Sequence, residues 1–177
     1  WLTQSIGKIF SKEFPDNFNS ALGGFVYSEP TKLTYRLLVN AGAIDTAVQS
    51  YEGKTQIKDR LIERIALAYL WGEETLESPR FSWWFQKSEV HALSAVSHYF
   101  WSISKQEITE EQVKLIMQFW KKCVDVVHKE DSSSDQLFSS LSRLACYVDS
   151  ISATEEALMA AVAPFAHVGH NVDWFIE

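Results

Sequence analysis

The chain has 177 residues, 46% of them hydrophobic and 22% charged, which is the make-up of one globular domain or two small ones. At that length folding buries roughly 70% of the unfolded surface, so a core needs no metal or disulfide staple. The formal net charge of −7 is concentrated in residues 131–177, where Arg143 stands alone against seven acids, and that sign disfavours a nucleic-acid partner through this third.

Taken in chain order, the periodicity is helical nearly everywhere. Leu2, Ile6, Ile9 and Phe10 mark a first amphipathic stretch. Pro15 and Asp16 open a second helix with Phe18, Leu22, Phe25 and Val26 on one face. Pro30 breaks it, because the residue before a proline is pushed out of the helical region. Leu33, Leu37, Leu38 and Ala41 follow, stopped by Gly42 at a C-cap position. Ile44, Ala47, Val48 and Tyr51 form a short helix, and Ile57, Leu61, Ile65, Ala68 and Tyr69 a longer one ending at Gly72.

A polar linker, "EETLESP", leads into an aromatic block, "PRFSWWFQKSEVHALSAVSHYFW" (79–101). Here Trp83, Trp84 and Phe85 are expected in a loop or short turn before Ser88, which reads as an N-cap. Val90, Leu93, Val96, Phe100 and Ile103 then share one face. "ITEEQV" reads as a capping box between Thr109 and Gln112, with Ile108 and Val113 placed for a hydrophobic staple. The helix after it turns Val113, Ile116, Met117, Trp120, Val124 and Val127 inward. Leu137, Leu141, Leu144, Val148 and Ile151 form a further stripe, and another helix from about residue 153 carries Leu158, Val162 and Phe165.

No stretch reads as a strand, so the expected fold is all-α. The helix starts near 88 and 134 lie 46 residues apart, and those near 109 and 153 lie 44 apart. That step matches HEAT and armadillo-type helix pairs, so a short solenoid of stacked antiparallel pairs is expected. A closed helical bundle is the alternative. The chain is read as a single all-α domain, 1–177. Its sub-division would be an irregular helical part, 1–78, and regular helix pairs, 79–177. Its start at Trp1 and its end in "NVDWFIE" lead us to expect a fragment of a larger protein.

Three segments, "WWFQKSEVHALSAVSHYFWSI", "ITEEQVKLIMQFWKKCVDVV" and "LFSSLSRLACYVDSI", resemble the C-terminal helical-repeat regions of large bacterial STAND-type NTPases. The likeness covers residues 80–151. It implies a repeat segment that senses or binds a partner, while an ATPase and an effector elsewhere in the polypeptide, often in antiviral defence, do the chemistry. No GxxxxGK[ST] phosphate loop occurs in the chain, so any nucleotide chemistry would lie outside it.

The chemistry-bearing residues form no catalytic motif. His91 and His98 share a helix face but stand about 10.5 Å apart along the axis, too far to share a zinc whose nitrogens sit at about 2 Å. His167 and His170 in "HVGH" have ligand spacing, with Asp173 the only carboxylate near them in sequence, and are read as a solvated end. The acids of "GEE", "TEEQ", "TEEA" and "KED" read as helix-start or solvated charges. Cys123 and Cys146 read as buried reduced thiols, which with the absence of a leader pattern points to a cytoplasmic protein. No membrane span is expected, since the longest run free of charge and histidine is twelve residues, Asn17–Ser28.

The expected function is therefore a non-catalytic interaction or sensor segment without cofactor or metal. Its partners would be proteins or other domains of the same polypeptide. The candidate contact residues are Trp83, Trp84, His91 and His98, since two adjacent tryptophans cannot both point inward. An all-α metal-dependent hydrolase using His91, His98 or His167, and a purely structural or oligomerisation spacer, are the alternatives.

Overall fold

The computed structural model describes residues 2–10, 15–103 and 107–127, together with positions 137, 140, 141, 143, 144 and 147. Among these residues the regular structure is helical and no strand occurs: α1 (Leu2–Ile9), α2 (Pro15–Tyr27), α3 (Lys32–Asn40), α4 (Ala43–Ser50), α5 (Thr55–Leu70), α6 (Pro79–Gln86), α7 (Val90–Ser102) and α8 (Glu110–Val127). The protein is all-α over this range. The chain forms two compact units, Trp1–Phe81 and Ser82–Glu177.

In the first unit α5 is the central element. Leu61, Ile62, Ile65, Ala66, Ala68, Tyr69 and Leu70 are all buried, so its second half is enclosed on nearly every side. α2 packs along it through Phe18, Leu22, Phe25 and Val26, the face that the apolar spacing predicts. Arg64 of α5 donates to the carbonyls of Val26 and Ser28, satisfying acceptors that the end of α2 would otherwise leave open. α1 lies against α2 and α3, and Phe10 meets Phe18 edge to face at 5.9 Å.

Two glycines act where a left-handed residue is needed. Gly42 (φ 69°) ends α3, and Gly72 (φ 76°) ends α5. After α5 the Glu73 amide returns to the Ala68 carbonyl at 2.9 Å and the Gly72 amide to the Tyr69 carbonyl at 3.0 Å, which closes a Schellman motif. The face of α3 differs from expectation. Leu33 is 68% exposed, and Tyr35 and Leu38 are the buried pair. Tyr35 can go inside because its hydroxyl finds a buried acceptor in Glu74, which the spacing of leucines could not reveal.

In the second unit α7 and α8 pack together through Leu93, Val96 and Phe100 on one side and Val113, Ile116 and Phe119 on the other. Phe100 and Phe119 meet edge to face, 5.3 Å apart at 89°. The inward stripe of α8 is rotated from the expected one: Phe119 and Cys123 are buried, whereas Met117 is only half-buried. The capping box forms as read. Thr109 N–H donates to Gln112 Oε1 at 3.0 Å, and Gln112 N–H donates to Thr109 Oγ1 at 3.3 Å. Leu137, Leu141 and Leu144 are buried as their stride predicts, and Trp120 Nε1 donates to the Leu141 carbonyl. The helix starts near 134 and 153, on which the 45-residue step rests, lie outside the described residues, as do Val124, Val127, Val148, Ile151, Leu158, Val162 and Phe165 as side chains.

Candidate functional site

The aromatic block is more regular than its sequence reading. Pro79 starts a helix rather than a loop, since a first-turn proline needs no amide donor and arrives with helical φ. That helix, α6, sets Phe81 and Trp84 three residues apart on its buried side. Trp84 is only 4% exposed and so is not available to a partner, whereas Trp83 is half-buried with Lys87 Nζ 5.2 Å from its ring. One tryptophan is inside and one partly outside, as two adjacent helical side chains require.

Ser88 does not cap α7. It is the residue that ends α6, with φ 49°. The Glu89 amide returns to the Trp84 carbonyl at 2.9 Å and the Ser88 amide to the Phe85 carbonyl at 3.4 Å, a second Schellman motif with serine in the glycine position. Glu89 becomes the N-cap of α7 and makes no side-chain cap.

α7 carries the exposed chemistry. His91 and His98 are both exposed, seven residues apart, and the helix does not bring them together. The residue that joins His98 is Trp101. It is 45% exposed, its ring centre 5.6 Å from the imidazole of His98, and the Arg143 guanidinium lies over it at 5.1 Å. Beneath this face the end of α7 is pinned by Tyr147, whose hydroxyl donates toward the carbonyls of Phe100 (2.9 Å) and Ile103 (3.2 Å). The sequence reading does not place Trp101 among the contact residues. Its position one step round the helix from buried Phe100 was the signal that could have marked it as a surface group.

No family model, curated relative or solved structure matches the chain.

A second cluster lies inside the first unit and was missed altogether. Glu73 and Glu74 of "GEE" were read as solvated charges, but the Glu74 side chain is fully buried. It accepts from the Tyr35 hydroxyl at 2.7 Å and from Arg80 Nε at 3.2 Å, and Arg80 Nη2 lies 2.9 Å from its other oxygen contact. Arg80 also donates through Nη1 to Asp45 at 2.8 Å. Next to it Arg36 pairs with Glu73, and Lys32 Nζ reaches the Trp71 carbonyl at 3.3 Å. The glutamates are thus not a helix start: the Schellman turn at Gly72 directs them back toward α3.

Proton chemistry is locked in this cluster. Burial first, then the charge of Glu74 and the hydrogen bond to it, push the Tyr35 phenol far above the ordinary tyrosine value, with Arg80 opposing in part. Burial alone would lower the Arg80 guanidinium, but Glu74, Asp45 and Tyr35 together outweigh it and raise it. Neither group exchanges a proton near neutral pH, so the arrangement works as a clamp rather than as an acid–base pair. Cys123 is fully buried and its thiol is pushed up by burial, away from the reactive thiolate. Cys146, His167 and His170 lie outside the described residues. Among the described residues no group of three or more His, Cys, Asp or Glu could hold a metal, and no helix is long and apolar enough to cross a membrane.

Proposed function

We propose that the chain is a non-catalytic interaction segment of a larger bacterial multidomain protein, an NTPase of the antiviral-defence kind, and that it binds a protein partner in the cytoplasm. In this reading the helix pairs stack as a short HEAT-like solenoid, with α7 and α8 forming one pair. The observation that carries the reading is the outward face of α7, where Trp101 is 45% exposed beside His98. A large indole left in water costs free energy that a partner surface recovers, and tryptophan is among the residues most often dominant at interfaces. The resemblance over residues 80–151 supports the same class, with the nucleotide chemistry supplied elsewhere in the polypeptide.

The test is site-specific crosslinking. Trp101→p-benzoylphenylalanine on α7 is expected to capture one defined protein or domain on irradiation in cells. The same substitution at Leu33, 68% exposed and on the other unit, is the control and is expected to capture none. Equal labelling from the two positions would end the reading. So would stoichiometric metal together with turnover in the purified chain.

A further inference from the structure

We propose that the face of α7 at Trp101 docks an acidic peptide segment of the partner, and that Arg143 receives its carboxylate. This rests on the interaction-segment reading and adds the chemistry of the partner. Arg143 lies over the Trp101 ring at 5.1 Å and its side chain is exposed. A guanidinium over an indole uses its face for the ring and keeps its in-plane N–H donors for something else. Among the described residues Arg143 makes no ion pair or hydrogen bond, so those donors are uncommitted. His98 flanks the indole on the same face.

Arg143 is the one base among the seven acids of residues 131–177, so the fit to an anion rests on its own fork and on α7 beside it. α7 reads VHALSAVSHYFWS and contains no acid, so nothing on that helix repels a carboxylate. The planar fork of an arginine takes a carboxylate through two parallel hydrogen bonds. The exposed part of the indole then accepts an apolar or aromatic side chain from the same peptide. A nucleic acid would offer the fork a phosphate, but it brings a charge at every nucleotide toward a chain of net charge −7. A short acidic segment brings only a few.

Fluorine NMR of the whole chain, labelled with 5-fluorotryptophan, tests this. The Trp101 signal is identified by its loss in Trp101→Phe. Three probes are titrated: a synthetic peptide of glutamates and leucines, the same peptide with glutamine for glutamate, and single-stranded oligothymidine. The expected result is a saturable shift of the Trp101 signal with the glutamate peptide only. Arg143→Gln weakens that binding by about tenfold or more, the loss of a hydrogen bond to a charged group, while Arg143→Lys keeps part of it. The remaining tryptophan signals report that the variants stay folded. Equal binding of the glutamine peptide, unchanged affinity in Arg143→Gln, or tighter binding of oligothymidine overturns the proposal. If the peptide leaves Trp101 unmoved while the crosslinker at position 101 still captures a protein, the acidic class is wrong and the interaction reading stands. If both are silent, both fail.

Discussion

Ser88 occupies a backbone conformation that L residues other than glycine adopt at a cost of roughly 1–2 kcal/mol. Ser88→Gly relieves it but gives back part in unfolded-chain entropy, so a net gain of about 0.5 kcal/mol is expected in urea unfolding. Gly72→Ala tests the same physics with opposite sign. Nothing lies within 4 Å of an added Cβ there, so the expected loss of ~1 kcal/mol is purely conformational. A second pair of residues separates buried hydroxyls by their partners. Ser94 Oγ is buried without a hydrogen-bond partner among the described residues, whereas Ser97 Oγ donates to the Leu93 carbonyl at 2.9 Å. Ser94→Ala is expected to stabilise by up to ~1 kcal/mol, since it removes an unsatisfied group and favours helix. Ser97→Ala, which also deletes a bond, stays nearer to neutral; a larger loss at 94 than at 97 would contradict this account. Ser88 also shows why a residue can be misread. Serine before glutamate suits an N-cap, and only the extension of α6 to Gln86 assigns position 88 to the end of the preceding helix.

At the scale of elements, the capping box and the buried clamp behave oppositely as sequence signals. Thr109 and Gln112 act within three residues of each other, so local chemistry determines their contact. Thr109→Ala is expected to cost about 1 kcal/mol, read as a lower unfolding midpoint. The clamp joins α3, α4, the α5–α6 connection and α6 through Tyr35, Asp45, Glu74 and Arg80, residues up to 45 positions apart. Removing one partner leaves a buried charge uncompensated, so Arg80→Met should cost ~3–5 kcal/mol. Arg80→Met combined with Glu74→Met should recover much of that loss; if it does not, the pair is itself strongly stabilising.

The clamp also sets a pH dependence. Because the folded Tyr35 phenol titrates far above its unfolded counterpart, its contribution is complete below about pH 10 and is lost as pH rises beyond that, by ~1.4 kcal/mol per pH unit. Tyr35→Phe is therefore expected to flatten the alkaline limb of a stability–pH curve while lowering stability at neutral pH. An unchanged alkaline limb would show that the phenol is not held as described.

For the whole molecule, the net charge of −7 and the lone base of residues 131–177 lead to a simple expectation: the chain passes unretained through a heparin column at about 0.15 M salt. Retention would indicate a basic face that the charge distribution conceals. The helical class, most helix starts and the buried faces of α2, α5 and α7 were legible in the residues, because a helix repeats every 3.6 positions and its caps are local. α6 was not, since eight residues rich in aromatics carry too little periodicity to separate a short helix from a turn. The acids at 73 and 74 were not either, because a carboxylate looks solvated until the fold surrounds it with donors. The same holds for the α7 surface. Sequence alone determined that His91 and His98 share a helix with Trp101. Only the tertiary structure decided that Trp84 turns inward, that Trp101 stays in water, and that Arg143, 42 residues further on, comes to rest over its ring. Contacts of that separation depend on how helices pack, a property of side-chain surfaces meeting in three dimensions that no local pattern contains.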